Sequence, residues 1–421
     1  MSDRRVGMFW PLGAPFYVLA GLAVFGLTFA TVFQMLSWPY QEWAGTSALF
    51  HQRLDLTGPL AAFLGAYLGG RLTPPTRPFA LPKFPRDRGQ FLAQNLAPLA
   101  AVVTVGYLLA LAPVLALTLR SATYGTLDLA VAATGLLVLN AFLILGWLIG
   151  LIARSAFIAP AAFALALVTT FVGYSGDTFA AVAPVLHIPP RLGFHEAPTL
   201  VIFRIAFIVL LSVIALAAAG GILSHRWFDR RWPAPSRALI WLVPLAFLTV
   251  GVANKPALFV EDASTPTVCG AAAGMKVCVH KGHEAQLAAL VGAIEPIVAV
   301  VGTEGFPFRQ VYDRALKLPS LSADEATTFY YDLSPTLDIV SSRSEFVFIA
   351  AGGNACLSTF GLNSNNDQTR AMRMLESRLE GDHSTGQAGR FAAMSDAELK
   401  VWIEPHRTQV RQCAIMGDVT P

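Results

Sequence analysis

Charge is scarce in this chain: 14% of its 421 residues are Asp, Glu, Lys or Arg, against 54% hydrophobic residues. Soluble domains rarely approach that balance, so a membrane class is the first implication. The first 254 residues contain no cysteine, and Cys269, Cys278, Cys356 and Cys413 all lie beyond them. No GxxxxGKS/T phosphate loop occurs, nor HExxH, nor GxSxG. Those absences exclude nucleotide hydrolysis, zinc-dependent proteolysis and serine esterase chemistry through these motifs. A cleavable leader is not expected either, because the apolar run after Arg5 continues to Gln41, beyond an h-region of about 7 to 15 residues.

The hydrophobic surplus is arranged in runs. A bilayer core about 30 Å thick needs about 20 apolar helical residues, since lipid offers backbone groups no partner. Strong spans are predicted at Phe16–Met35, Leu96–Leu119, Leu129–Ala153, Ala156–Tyr174 and Ile205–Leu223. Weaker ones are Leu56–Gly70, short and closed by Arg71, and Ala238–Ala253. The expected fold is therefore a polytopic helical membrane bundle over residues 1–254, of about seven transmembrane helices with six possible. A disulfide-containing α+β domain over 255–421 follows it. The span interiors read as free of ionisable residues, with Gln34, Thr104, Asn140, Thr169 and Thr170 their main polar side chains. That disfavours an ion-coupled carrier. Asn140, Thr169 and Thr170 are candidates for lining a substrate path, although an interhelical hydrogen bond is the expected role of Asn140.

Up to Asn254 there are 16 basic and 8 acidic residues, and beyond it 14 and 19. Lys and Arg in short loops stay cytoplasmic. Seven spans with the N-terminus inside place twelve basic residues inside and Arg53, Arg120, Arg191 and Arg204 outside. The second domain then lies outside the cytoplasm, where disulfides form. Two cytoplasmic segments stand out. Arg71–Asn95 interleaves Pro74, Pro75, Pro78, Pro82 and Pro85 with Arg77, Lys83, Arg86 and Arg88; Ser224–Arg237 carries Arg230 and Arg231. Each reads as a docking surface or as a topology anchor.

In the second domain, strands are expected at Val277–Val279 and Thr328–Tyr331, and helices at Ala285–Val301, Asp367–Glu380 and Ser395–Cys413. Ser395 and Glu398 form a capping-box pattern. The segment Asp338–Ala351 fits helix or strand. Four cysteines allow three pairings; Cys269 with Cys278 and Cys356 with Cys413 is the expected one. Cys278, His280, His283 and Glu284 form the densest polar cluster. Imidazole and thiolate at such spacing bind zinc or copper, but a disulfide at Cys278 removes the thiolate. No metal site is therefore expected, with His280 and His283 the candidates if there is one.

The stretch Gly65–Arg71, GAYLGGR, closing a span before a basic proline-containing segment, resembles permease subunits of exporter-type (type 2) ABC transporters of the actinobacterial kind. The VCVH piece at Val277–His280, the apolar helix after it and a late helix with Trp402 are similar to extracytoplasmic domains appended to such permeases. The resemblance implies a subunit of the bacterial cytoplasmic membrane that pairs with itself or with a second permease. It further implies a cytoplasmic ATP-binding cassette partner that holds ATP and magnesium, and export of an amphipathic or peptide-like substrate. No cofactor is expected in the chain itself, no nucleic-acid partner, and no catalytic residue. The coupling surface would be Arg77, Lys83, Arg86 and Arg88, with Arg230 and Arg231. Two other classes stay open: a membrane-anchored extracytoplasmic enzyme or metal-binding protein built on His280, His283 and Glu284, and a sensor or scaffold that transports nothing.

Overall fold

The computed structural model describes residues 12–38, 40–72, 88–172, 179, 181–188, 190–223, 234–254, 256–262, 265–316, 327–333, 339–361 and 366–415. Of residues 88–94, 234–243 and 339–342 it describes the backbone alone. The chain is mostly helical and divides into two units, Met1–Val260 and Glu261–Pro421. Among the described residues, five helical stretches are long and apolar enough to cross a membrane: Ala14–Ser37, Asn95–Ser121, Leu129–Ala153, Pro198–Leu223 and Lys281–Val301.

The first unit contains α1 (Ala14–Val32), α2 (Trp43–Gln52), α3 (Leu54–Leu72), α4 (Arg88–Ser121), α5 (Leu129–Ala153), α6 (Ala159–Phe171), the short strand β1 (Phe194–Glu196), α7 (Pro198–Leu223) and α8 (Ala234–Asn254). The middle of the unit is α5, which buries Trp147, Leu139, Leu143 and Leu151 and starts at an Asp128 cap whose carboxylate accepts from Ala130 and Val131 N–H. Against it, α2 and α3 run in succession. Gly135 meets the Phe50 carbonyl, Gly58 the Phe142 ring, Gly65 the Leu143 carbonyl, Gly146 the Ala62 carbonyl and Gly70 the Ser155 backbone. Both sequences advance together, so α2 and α3 descend parallel to α5. The missing Cβ atoms let these backbones touch, the usual device for packing helices where lipid supplies no hydrophobic drive.

One residue, Arg53 at φ −81° and ψ 12°, separates α2 from α3. The short predicted span Leu56–Gly70 is thus the lower part of a longer interrupted element starting at Trp43. Other predicted boundaries shift less. The helix expected at Ala156–Tyr174 is helical from Ala156 to Phe171, and the Ala238–Ala253 helix starts at Ala234. The largest correction concerns Ile205–Leu223. That helix begins at Pro198 and takes Arg204 into its second turn, buried.

In the second unit, β2 (Thr267–Ala272), β3 (Met275–His280), β4 (Gln310–Asp313) and β5 (Thr328–Tyr331) form a sheet in the order β2-β3-β4-β5. The first pair is antiparallel and the others are parallel. Ala273 and Gly274, both at positive φ, close the β2–β3 hairpin, the two-residue loop that matches strand twist. This register sets Cys269 opposite Cys278, and the two are disulfide-bonded. The apolar helix α9 (Glu284–Val301) lays Leu290, Ile294, Ile297, Val298 and Val301 into the core it shares with Val277, Val279 and Val311. The ambiguous segment around 338–351 is helical, as α10 (Ile339–Ala350). Then follow α11 (Gly353–Phe360), α12 (Asp367–Glu380) and α13 (Asp396–Arg411). Ser395 and Glu398 complete a reciprocal capping box on α13, and Cys356 of α11 bonds to Cys413 just past its end.

Candidate functional site

Among the described residues, two clusters of titratable side chains are buried, one in each unit. The first lies where α2 gives way to α3. His51, second from the end of α2, is fully buried, and its Nε2 lies 2.5 Å from Glu196 Oε1. Glu196 ends β1, held there by Ala197 N–H donating to the Leu258 carbonyl at 2.9 Å. Its other oxygen is 3.8 Å from Arg204 Nη1, and the Arg204 Nη2 donates to the Ala183 and Pro184 carbonyls at 3.2 and 3.0 Å. All three side chains are at most 3% exposed. Beside them, His187 Nδ1 stands 3.6 Å from Asp55 Oδ1, its Nε2 is bonded to the Thr170 carbonyl, and Arg53 Nη2 donates to Met35 Sδ.

The site's depth follows from α5. Gly135 abuts Phe50 and His51 and lies six residues into that helix, about 9 Å from its start at 1.5 Å per residue. Tyr107 of α4 reaches the same level and donates from its hydroxyl to the Phe50 carbonyl at 2.9 Å. A carboxylate and a guanidinium removed from water each cost several kcal/mol unless paired, and here each ion faces the other. The expectation of spans free of ionisable groups therefore fails at Arg204. Its charge reads in sequence as a helix boundary, whereas Glu196 and two carbonyls satisfy it inside the bundle. With that premise goes the argument against ion coupling.

The second cluster involves two of the residues considered for metal binding. Cys278 is in a disulfide and offers no thiolate. His283 Nδ1 pairs with Asp313 Oδ2, which also accepts from His280 N–H at 3.2 Å, while Asp313 Oδ1 accepts from Ala315 N–H at 2.9 Å. His280 Nδ1 in turn accepts from Gly282 N–H. Asp313, missed in the sequence because a lone Asp closing a strand carries no signal, gathers the ends of β3 and β4 around one carboxylate. Glu284 is exposed on the first turn of α9, away from any shared ligand set. Burial holds the His280 imidazole below its ordinary pKa, opposed by Asp313 and Asp262 and reinforced by His283. Among the described residues no group of three or more His, Cys, Asp or Glu is placed to hold a metal ion.

The remaining sequence candidates are placed as follows. Asn140 Nδ2 donates to Thr104 Oγ1 at 3.2 Å and to the Leu136 carbonyl, joining α5 to α4. Thr169 and Thr170 turn their hydroxyls to the carbonyls of Ala166 and Leu167 in their own helix, and the Thr170 carbonyl meets His187 in the first cluster. Arg77, Lys83, Arg86, Arg230 and Arg231 lie outside the described residues, as does the side chain of Arg88. Family models, curated proteins and solved structures were all compared with the chain, and none of them matches it.

Proposed function

We propose that this chain is the membrane permease subunit of an exporter-type ABC transporter, crossing the cytoplasmic membrane seven times with its second unit outside. The crossings are α1, the α2–α3 element, α4, α5, α6, α7 and α8. ATP and magnesium belong to a separate cytoplasmic ATPase, and the substrate is amphipathic or peptide-like. A second copy or a second permease completes the path.

The observation that carries this reading is α3. Its 19 residues measure about 28 Å, close to a bilayer core. One end, at Asp55, borders the His51–Glu196–Arg204 cluster, and the other, at Arg71, opens into the basic proline-containing segment with Arg77, Lys83, Arg86 and Arg88. Glycine contacts along Gly58, Gly65, Gly69 and Gly70 bind it to α5 and the turn after it. A helix so packed moves as a rod, and can carry a push on the basic segment to the charged cluster at its far end.

The test replaces Arg77, Lys83, Arg86 and Arg88 together with neutral polar residues and measures ATPase co-purification and protease protection on the same membranes. Loss of the ATPase with intact topology supports the coupling surface; undiminished ATPase with intact topology removes it. A native chain that captures no ATPase and transports on a pH gradient alone overturns the ABC reading.

A further inference from the structure

We propose that the His51–Glu196–Arg204 cluster is a proton-binding site, in which one proton taken up by His51 latches α2 against the start of α7. In neutral His51 the Nε2–H donates to Glu196 Oε1, which leaves Nδ1 as the basic nitrogen. That Nδ1 is buried and has no hydrogen-bond partner among the described residues, so a proton adds there without breaking the Glu196 contact. The only bond formed is N–H, and the proton is drawn from water and returned to it. The product is an imidazolium donating to a carboxylate, an ion pair where the neutral imidazole gave a hydrogen bond with one charged partner.

The groups facing His51 set the balance. At hydrogen-bond distance His51 faces the Glu196 carboxylate of β1, with the Arg204 guanidinium of α7 beside that carboxylate's other oxygen and His187 of the preceding loop beside Asp55. Arg53 and Asp55 flank the cluster at the start of α3, Tyr107 of α4 spends its hydroxyl on the Leu49 and Phe50 carbonyls, and α5 contributes no titratable residue. One carboxylate therefore stands between a fixed cation and a switchable one.

The latch acts on α2 because of how that helix is attached. Beyond the joint at Arg53, α2 is tied by neutral contacts: its Phe50 backbone lies against Gly135 of α5, the Tyr107 hydroxyl donates to the Leu49 and Phe50 carbonyls, Thr46 bonds to Thr118 at 2.7 Å and Ser47 Oγ accepts from Asp128 N–H at 2.9 Å. His51 also ties it ionically to Glu196. Below the joint α3 is packed on α5 along Gly58, Gly65 and Gly69, so release of His51 leaves α2 held by neutral contacts alone and loosens it about Arg53 while α3 stays. Only the latch's place at the outward end of a transport path rests on the permease reading.

Two measurements on the full chain in phosphatidylcholine vesicles test this, with no ATPase present. Nitrogen NMR of 15N-histidine chain, with His51 identified by its loss in His51→Gln or His51→Asn, should show that imidazole passing reversibly from doubly protonated to neutral as the pH is raised. Glu196→Gln should move the change to lower pH. Separately, Ser47→Cys, the sole reduced cysteine in its variant, is labelled with a maleimide. Its rate is divided by that of Ser384→Cys, an exposed reference, to remove the thiol's own pH dependence. The ratio should rise as His51 loses its proton and its ion pair with Glu196 becomes a hydrogen bond with one charged partner, and should be flat in the Glu196→Gln background. A His51 held in one protonation state throughout, or a ratio that does not change with pH, overturns the proposal. Both reporters keep the native cluster, so the ratio decides even where a histidine or Glu196 variant fails to fold. A titrating His51 in a chain that binds no ATPase would keep the latch and discard the permease reading, and the reverse result would do the opposite.

Discussion

His51 and Glu196 are 145 residues apart in sequence, yet their side chains meet at 2.5 Å inside the first unit, with Arg204 Nη1 3.8 Å from the other carboxylate oxygen. No single member of this cluster can be removed without leaving a buried ion or donor short of its partner. Breaking a buried ion pair by deleting one partner costs about 3–5 kcal/mol. Arg204→Met and Glu196→Gln should each lower the thermal stability of the detergent-solubilised chain on that scale. The double variant Glu196→Gln/Arg204→Met should cost less than the sum, because the second substitution removes the orphan left by the first. Additive losses would show that the two residues act separately.

The two disulfides close loops of different length, with sequence separations of 9 and 57. In the chain-entropy account the longer loop contributes about 4 kcal/mol and the shorter about 2.5 kcal/mol. Cys356→Ser or Cys413→Ser should therefore lower the stability of the second unit more than Cys269→Ser does, and the pair Cys356→Ser/Cys413→Ser should cost no more than either alone. Denaturant titration under matched redox conditions checks the order, and a larger loss from the hairpin disulfide would refute it.

What could be read in the sequence follows the strength of the local signal. Leu129–Ala153 is bounded by Asp128 and Arg154 and has no interior charge, so its limits were legible to the residue. The capping box at Ser395 was as plain, since both halves sit three residues apart. By contrast, α2 reads WAGTSALFHQ, too short and too polar for a span, and its Thr46, Ser47 and His51 Nε2 find partners in Thr118, Asp128 and Glu196, from elsewhere in the chain. Arg204 was misplaced for the same reason: a charge ends a lipid-facing helix only if nothing neutralises it, and its neutraliser ends the short strand β1 outside that helix. The usable signal was a basic residue one turn inside a 26-residue apolar helix with a Glu eight positions earlier.

Composition alone would count Lys281–Val301 as a membrane crossing, yet six of its residues are buried in a core shared with the sheet and with α10 and α13. The expected outcome is an unbroken second unit on one side of the membrane. Ser384, exposed between α12 and α13, should after substitution to Cys react with an impermeant maleimide in intact cells, and so should a cysteine replacing the exposed Glu261-side residue Thr267. Reaction of both only after lysis would place the unit inside, and reaction of one alone would make α9 a span.

The final expectation concerns acid. Burial, which penalises the charged imidazole, holds His280 below its ordinary pKa, outweighing the pull of Asp313 and Asp262. The unfolded chain takes up a proton at this residue near pH 6.5, whereas the folded chain does so only at lower pH. Between those points the unfolded state binds more protons, so stability is complete above about pH 6.5 and falls as pH drops toward the folded value. Glu376 has the opposite sign: burial and Glu380 raise its carboxyl, so ionising it in the folded unit costs stability at neutral pH, and Glu376→Gln should recover some. His280→Asn keeps an acceptor for Gly282 N–H and removes the proton. In chemical denaturation of the full chain monitored at Trp402, which stacks on His406 at 4.5 Å, the native unit should lose stability from pH 7 to pH 5 and His280→Asn should lose less of it. Parallel curves for the two would mean that His280 is not the group responsible, and a native curve that rises on acidification would assign the dominant role to Glu376.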